Sequence, residues 1–122
     1  MASVTVDFIA KGSDSDPWAM VLVEEGPWAK AEVEGQLQRI QDRLYGCIEA
    51  ALEGQLAEQF PASKGKAVAV RLDCYNVPRT EVTEFFERFS RHALRLSGYE
   101  KALKSSAFVS SLSFEVTFDA IH

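Results

Sequence analysis

Apolar and polar residues alternate at the start of the chain, where Val4, Val6, Phe8 and Ala10 are interleaved with Thr5, Asp7, Ile9 and Lys11. A period of two predicts a strand with one apolar side, ending at Gly12. The next residues, Gly12-Ser13-Asp14-Ser15-Asp16-Pro17, are turn formers. A second strand is predicted over residues 18–24, centred on Ala19-Met20-Val21-Leu22-Val23, and so short a polar connection predicts an antiparallel hairpin.

Beyond Glu25-Gly26-Pro27-Trp28 the period changes. Val33, Leu37, Ile40, Leu44, Ile48, Leu52 and Leu56 recur every three or four residues, which predicts one long amphipathic helix ending before Pro61. Gly35, Gly46 and Gly54 interrupt it, each at a cost of about 1 kcal/mol relative to alanine. They are either tolerated or mark a close approach to a neighbour. A third strand, residues 67–75, sends Val68, Val70, Leu72 and Cys74 to one side. A second helix follows, with Thr80 as its expected N-cap, Val82, Phe85, Phe86, Phe89, Ala93 and Leu96 as its apolar face, and Gly98 as its expected C-cap. Residues 99–106 have the spacing of a short extra turn. The last strand alternates Phe108, Leu112, Phe114, Val116 and Phe118 with Val109, Ser111, Ser113, Glu115 and Thr117.

The order strand, strand, helix, strand, helix, strand predicts an α+β two-layer sandwich: a mostly antiparallel four-stranded sheet with two helices on one face, ββαβαβ. Its expected core is Phe8, Leu22, Leu37, Leu44, Leu52, Val70, Leu72, Phe85, Phe89, Leu112, Phe114 and Val116. Nothing in residues 1–122 suggests a linker or repeat, so a single domain is expected.

Composition refines the functional classes more than the fold. The net charge of -5 and the absence of any Lys/Arg-rich run argue against nucleic acid and anionic membranes as partners. No apolar run approaches the roughly 20 residues of a membrane span, and the opening residues do not resemble a secretory signal. Cytoplasmic residence is therefore expected. Cys47 and Cys74 fall within a helix and a strand pattern, which reads as two core thiols. His92, His122 and the two cysteines lack metal-site spacing, and no phosphate-binding or dinucleotide motif is present, so neither a metal nor another cofactor is expected. A Cys74–His92 catalytic pair is conceivable, though an exposed helical histidine is the simpler reading.

The sheet's second face is the more informative surface. It would carry Thr5, Asp7 and Ile9, then Ala19, Val21 and Val23, then Ala69, Arg71, Asp73 and Tyr75, and finally Val109, Ser111, Ser113, Glu115 and Thr117. Small apolar groups, hydroxyls and compensating charges suit contact with a second copy or another protein. The chemical alternative is a small hydrolase in which Asp7 and Asp73 divide acid and base roles, with Arg71 binding an anion and Tyr75 and Glu115 alongside. Asp7 with Glu24 and Glu25 imitates the acidic part of a metal nuclease, but no lysine follows in the second strand. Trp18 and Trp28 flank that strand as candidates for a small apolar binding groove.

The segments Val6-Asp7-Phe8, Met20 through Trp28, and Arg71-Leu72-Asp73-Cys74-Tyr75 followed by Pro78 resemble a family of small bacterial proteins classed as a domain of unknown function. The resemblance implies a free-standing bacterial cytoplasmic protein and brings no catalytic residue or ligand with it. The expectation is a binding or interaction module that forms a homodimer, or meets another protein, through the open sheet face.

Overall fold

The computed structural model describes residues 6–13 and 15–119. Its elements are β1 (Phe8–Ala10), β2 (Trp18–Glu25), α1 (Val33–Leu52), α2 (Gln55–Gln59), β3 (Lys66–Tyr75), α3 (Arg79–His92), α4 (Ser97–Lys104) and β4 (Val109–Phe118), with short 3-10 turns between some of them. The ββαβαβ order is observed, with α2 and α4 as short additions. Val4 and Thr5, assigned above to the first strand, lie outside the described residues.

The strands form one sheet in the order β1-β2-β3-β4. β1 and β2 pair antiparallel as a hairpin, whereas β2 with β3 and β3 with β4 pair parallel. The sheet is mixed instead of mostly antiparallel. The reason lies in the connections, because a helix inserted between adjacent strands carries the chain back to the end where the first strand began. Both crossovers step across the sheet in the same direction, and the right-handed preference of such units then puts both helices on one side. Trp18, Met20 and Leu22 of β2 and Val68, Val70, Leu72 and Cys74 of β3 meet Ile40, Leu44, Cys47 and Ile48 of α1 and Val82, Phe85, Phe86 and Phe89 of α3 in that single core. An aromatic series ties the layers together: Tyr45 and Phe89 at 5.1 Å between ring centroids, and Phe89 and Phe114 at 5.4 Å, both edge-on.

Several local features depart from the sequence reading. In β1, Phe8 pairs with Val21 and Ile9 with Met20, so Ile9 packs on the core and Phe8 stays 45% exposed on the other side. Adjacent apolar residues left that strand's facing ambiguous, and the register with β2 decides it. A register shift at Lys66/Ala67 lets Val109 turn into the core, away from the open face to which strict alternation assigned it. Pro78, not Thr80, occupies the N-cap of α3, and Val82 N–H closes its first turn onto Pro78 O at 3.1 Å. Gly98 lies inside α4 and caps nothing.

The expected long first helix breaks at Gly54, whose φ of 91° is left-handed. A Cβ there would also stand 2.8 Å from ring carbons of Phe108, so the glycine both stops α1 and admits the aromatic residue ahead of β4. Gly35, in the first turn of α1, has open space around it. Gly35→Ala should therefore stabilise the fold by about 0.4–1 kcal/mol, while Gly54→Ala destabilises it by more than about 1 kcal/mol. Urea midpoints of the two variants, at unchanged slope, check the opposite signs.

Candidate functional site

Two polar clusters are built into the sheet, one on its helix side and one on its uncovered side. The first follows from alternation along β2: Trp18, Met20 and Leu22 face the helices, and the next residue on that side is Glu24, only 3% exposed. A carboxylate taken from water there requires charged or hydrogen-bonding partners. α1 supplies them four residues apart, on one helix face, as Arg39 and Arg43. Arg39 forks onto both Glu24 oxygens, with Nη1 at 2.9 Å from Oε2. Arg43 donates from Nη1 to Glu24 Oε2 at 2.7 Å and from Nη2 to Asp7 Oδ2 at 3.0 Å. That same Asp7 oxygen accepts Val23 N–H at 2.6 Å. Neither arginine was singled out from the sequence; the i,i+4 spacing opposite an acid at the end of an apolar strand was the available signal.

The second cluster lies on the uncovered side. Asp73, with no exposed surface, accepts at Oδ1 from Arg71 Nε at 3.0 Å and from Thr117 Oγ1 at 2.8 Å. Arg71 Nη1 also lies 3.9 Å from Glu115 Oε1, the residue beside it in β4. The register produces this directly, since Arg71 is opposite Glu115 and Asp73 opposite Thr117. Tyr75 follows at the end of β3, opposite Glu25.

Asp7 and Asp73 therefore belong to different networks. Asp7 caps the β1 border of β2 at Val23 and reaches toward α1, whereas Asp73 is the register partner of Val23 on the β3 side and faces away from the helices. The backbone of β2 stands between them. Of the candidate residues, the structure brings together Arg71, Asp73 and Glu115, with Tyr75 following at the end of β3, and places Asp7 on the other side of the sheet. The expected placement of Asp7 on the open face fails for the same reason as that of Ile9: β1 is rotated relative to the simple alternation.

The two tryptophans also part. Trp18 is buried at the start of β2 with its ring 6.0 Å from that of Phe60. Trp28 lies beyond the other end of β2, where with Lys30, Val33, Pro78 and Glu81 it lines a shallow cleft of about 500 Å³. Cys74 sits near the start of the α3 connection and His92 at the far end of that fourteen-residue helix, a rise of roughly 20 Å, so they form no catalytic pair. Among the described residues, no three His, Cys, Asp or Glu side chains cluster as a metal site would need. His122 lies outside the described residues. Among those residues, too, no helix is long and apolar enough to cross a membrane.

No family model matches the chain, and no curated protein or solved structure matches it either.

Cys47 and Cys74 are free and buried. Burial pushes both thiols up to about 12, and neighbouring carboxylates (Asp7 for Cys47; Glu24, Asp73 and Asp119 for Cys74) add to the shift. Neither thiol has appreciable thiolate character near neutral pH. A maleimide reagent should label neither thiol in the native protein and both after unfolding, as read by mass spectrometry.

Acid should act through Asp7. Its partial burial works to raise the carboxyl, but the Val23 N–H and the Arg43 guanidinium outweigh this and hold it below the ordinary 3.8. A folded value below the unfolded one gives stability that is complete above about pH 3.8 and lost as pH falls through the folded value. Asp7→Asn should remove that part of the acid dependence while lowering stability at neutral pH. Thermal melts of both proteins between pH 2 and 7 measure it; parallel curves would contradict the assignment.

Proposed function

We propose that the protein is a small cytoplasmic interaction module that self-associates by way of the part of its sheet the helices leave uncovered. The observation that carries this reading is the one-sided placement of α1 and α3. Phe8, half-exposed, and the partly exposed Val23 of β2 and Ala67 of β3 then lie on the side with no helix above it, around Ala19, Val21 and Ala69, which are already buried within the chain.

The polar members of that surface support the reading. Arg71, Asp73 and Thr117 are already bonded to one another, so covering them with a second protein leaves fewer unpaired groups than covering free charges would. The same bonds weaken the hydrolase alternative. A general acid or base needs an oxygen within reach of substrate, and Asp73 is fully buried while Asp7 is committed elsewhere. The two free thiols suit a reducing compartment.

Light scattering over a concentration series measures the outcome directly. The 13.5 kDa chain should give close to twice that mass at micromolar concentration. A strictly monomeric mass at high micromolar concentration would overturn the proposal.

A further inference from the structure

The two borders of the sheet are treated differently. On one side the edge strand β1 has three residues among those described, and beyond them Asp7 Oδ2 takes the Val23 N–H that a neighbouring backbone would otherwise have bonded. A short edge and a side-chain cap are both ways of closing a border against further strands. On the other side β4 is ten residues long, a run of roughly 33 Å. It contains no proline or lysine, and its one charge is Glu115. Its register irregularity falls at the Val109 end, which leaves residues 111–118 in regular pairing with β3.

The direction of the β4 backbone groups follows from its last bond. Asp119 N–H points inward to Cys74 O at 2.7 Å. Its peptide partner, Phe118 C=O, therefore points outward, and alternation turns the N–H and C=O of Leu112, Phe114, Val116 and Phe118 to the free border. These same residues occupy the helix side of the strand. Leu112 is buried, yet Phe114, Val116 and Phe118 are only partly covered, because the helix layer ends before the border does.

We infer that this border is where the second copy enters, its own β4 lying antiparallel to the first so that two four-stranded sheets become one of eight strands. The inference rests on the reading that the protein self-associates, and it places the contact at the sheet's border instead of across its uncovered face. What favours a second copy over an unrelated strand is the self-complementarity of β4. With a two-fold axis at Phe114, that residue meets its own equivalent, Val116 meets Leu112, Glu115 meets Ser113 and Thr117 meets Ser111. On the helix side Phe114, Val116 and Leu112 thus meet apolar residues at the centre of the ladder, and Phe118 meets Ser110 at its ends. On the uncovered side hydroxyls meet hydroxyls or a carboxylate, and the two Glu115 charges are kept apart. Both helix layers fall on the same side of the joined sheet, where each covers apolar surface the other leaves open.

Val116→Pro tests the border without touching the centre of the sheet, since it removes an outward N–H and a half-buried side chain. Phe8→Lys places a charge at the opposite border of the uncovered face. Light scattering on wild type and both variants, each checked for a folded circular dichroism spectrum, should show a wild-type dimer, a Val116→Pro dimer weakened at least roughly tenfold, and an unaffected Phe8→Lys dimer. A Val116→Pro dimer of wild-type strength alongside a monomeric Phe8→Lys would overturn the edge pairing and leave face-to-face association standing. A monomeric wild type would remove both. Hydrogen exchange on the wild-type protein keeps the question decidable if Val116→Pro does not fold. Phe114 and Val116 amides should gain protection as protein concentration rises, while Glu115 and Thr117 amides are protected throughout; concentration-independent exchange at Phe114 and Val116 in a proven dimer refutes the pairing.

Discussion

The handedness of a helix crossover between parallel strands is the constraint from which most of this molecule's architecture follows. Once β2, β3 and β4 are laid side by side in chain order, each intervening helix has one side of the sheet open to it, and it is the same side for both. The core, the uncovered face and the unequal borders are consequences. A strand order that doubled back would have placed one helix on each side and left no bare face.

Placing all helices on one side moves the energetic burden onto β3. It is paired along both borders, its Val68, Val70, Leu72 and Cys74 enter the core, and even its outward Asp73 has no contact with solvent. Two buried acids, Glu24 and Asp73, bracket β2 and β3 on opposite sides. Each is matched to arginine: Glu24 to Arg39 and Arg43 across layers, Asp73 to Arg71 within its own strand. Truncating either carboxylate's partner leaves charge in a place with little water, which costs far more than a surface pair contributes. The first network fixes the angle of α1 on the sheet. The second keeps polar groups on the bare side internally satisfied.

Much of this architecture was legible because period-two and period-3.6 patterns are long and clean in β3, β4, α1 and α3. The failures have specific physical causes. In β1, Phe8 and Ile9 are consecutive and both apolar, so only pairing with Val21 and Met20 reveals which faces the core. The parallel pairings depend on where the chain re-enters the sheet, a property of three-dimensional connection that no window of residues contains. The Val109 irregularity shifts one residue against its neighbour and leaves no mark in composition. At the candidate site, Arg71, Asp73 and Glu115 were read onto one face because β3 and β4 alternate strictly, whereas Asp7 inherited the error in β1. Arg39 and Arg43 went unnoticed because a polar position on a helix carries no sign of what lies opposite it until the sheet is in place.

The position of β3 has a consequence for how the molecule is made. β3 is the apolar centre of the sheet, but one of its two hydrogen-bonded borders is supplied by β4, which is made about 35 residues after it. While the ribosome still holds residues 109–118, a nascent chain with β2, α1 and β3 already formed would present an unpaired strand rich in valine and alanine, with Phe114 and Leu112 missing from the interior. Folding to completion therefore waits on β4, and the interval before that strand emerges is when this chain most needs protection from its neighbours.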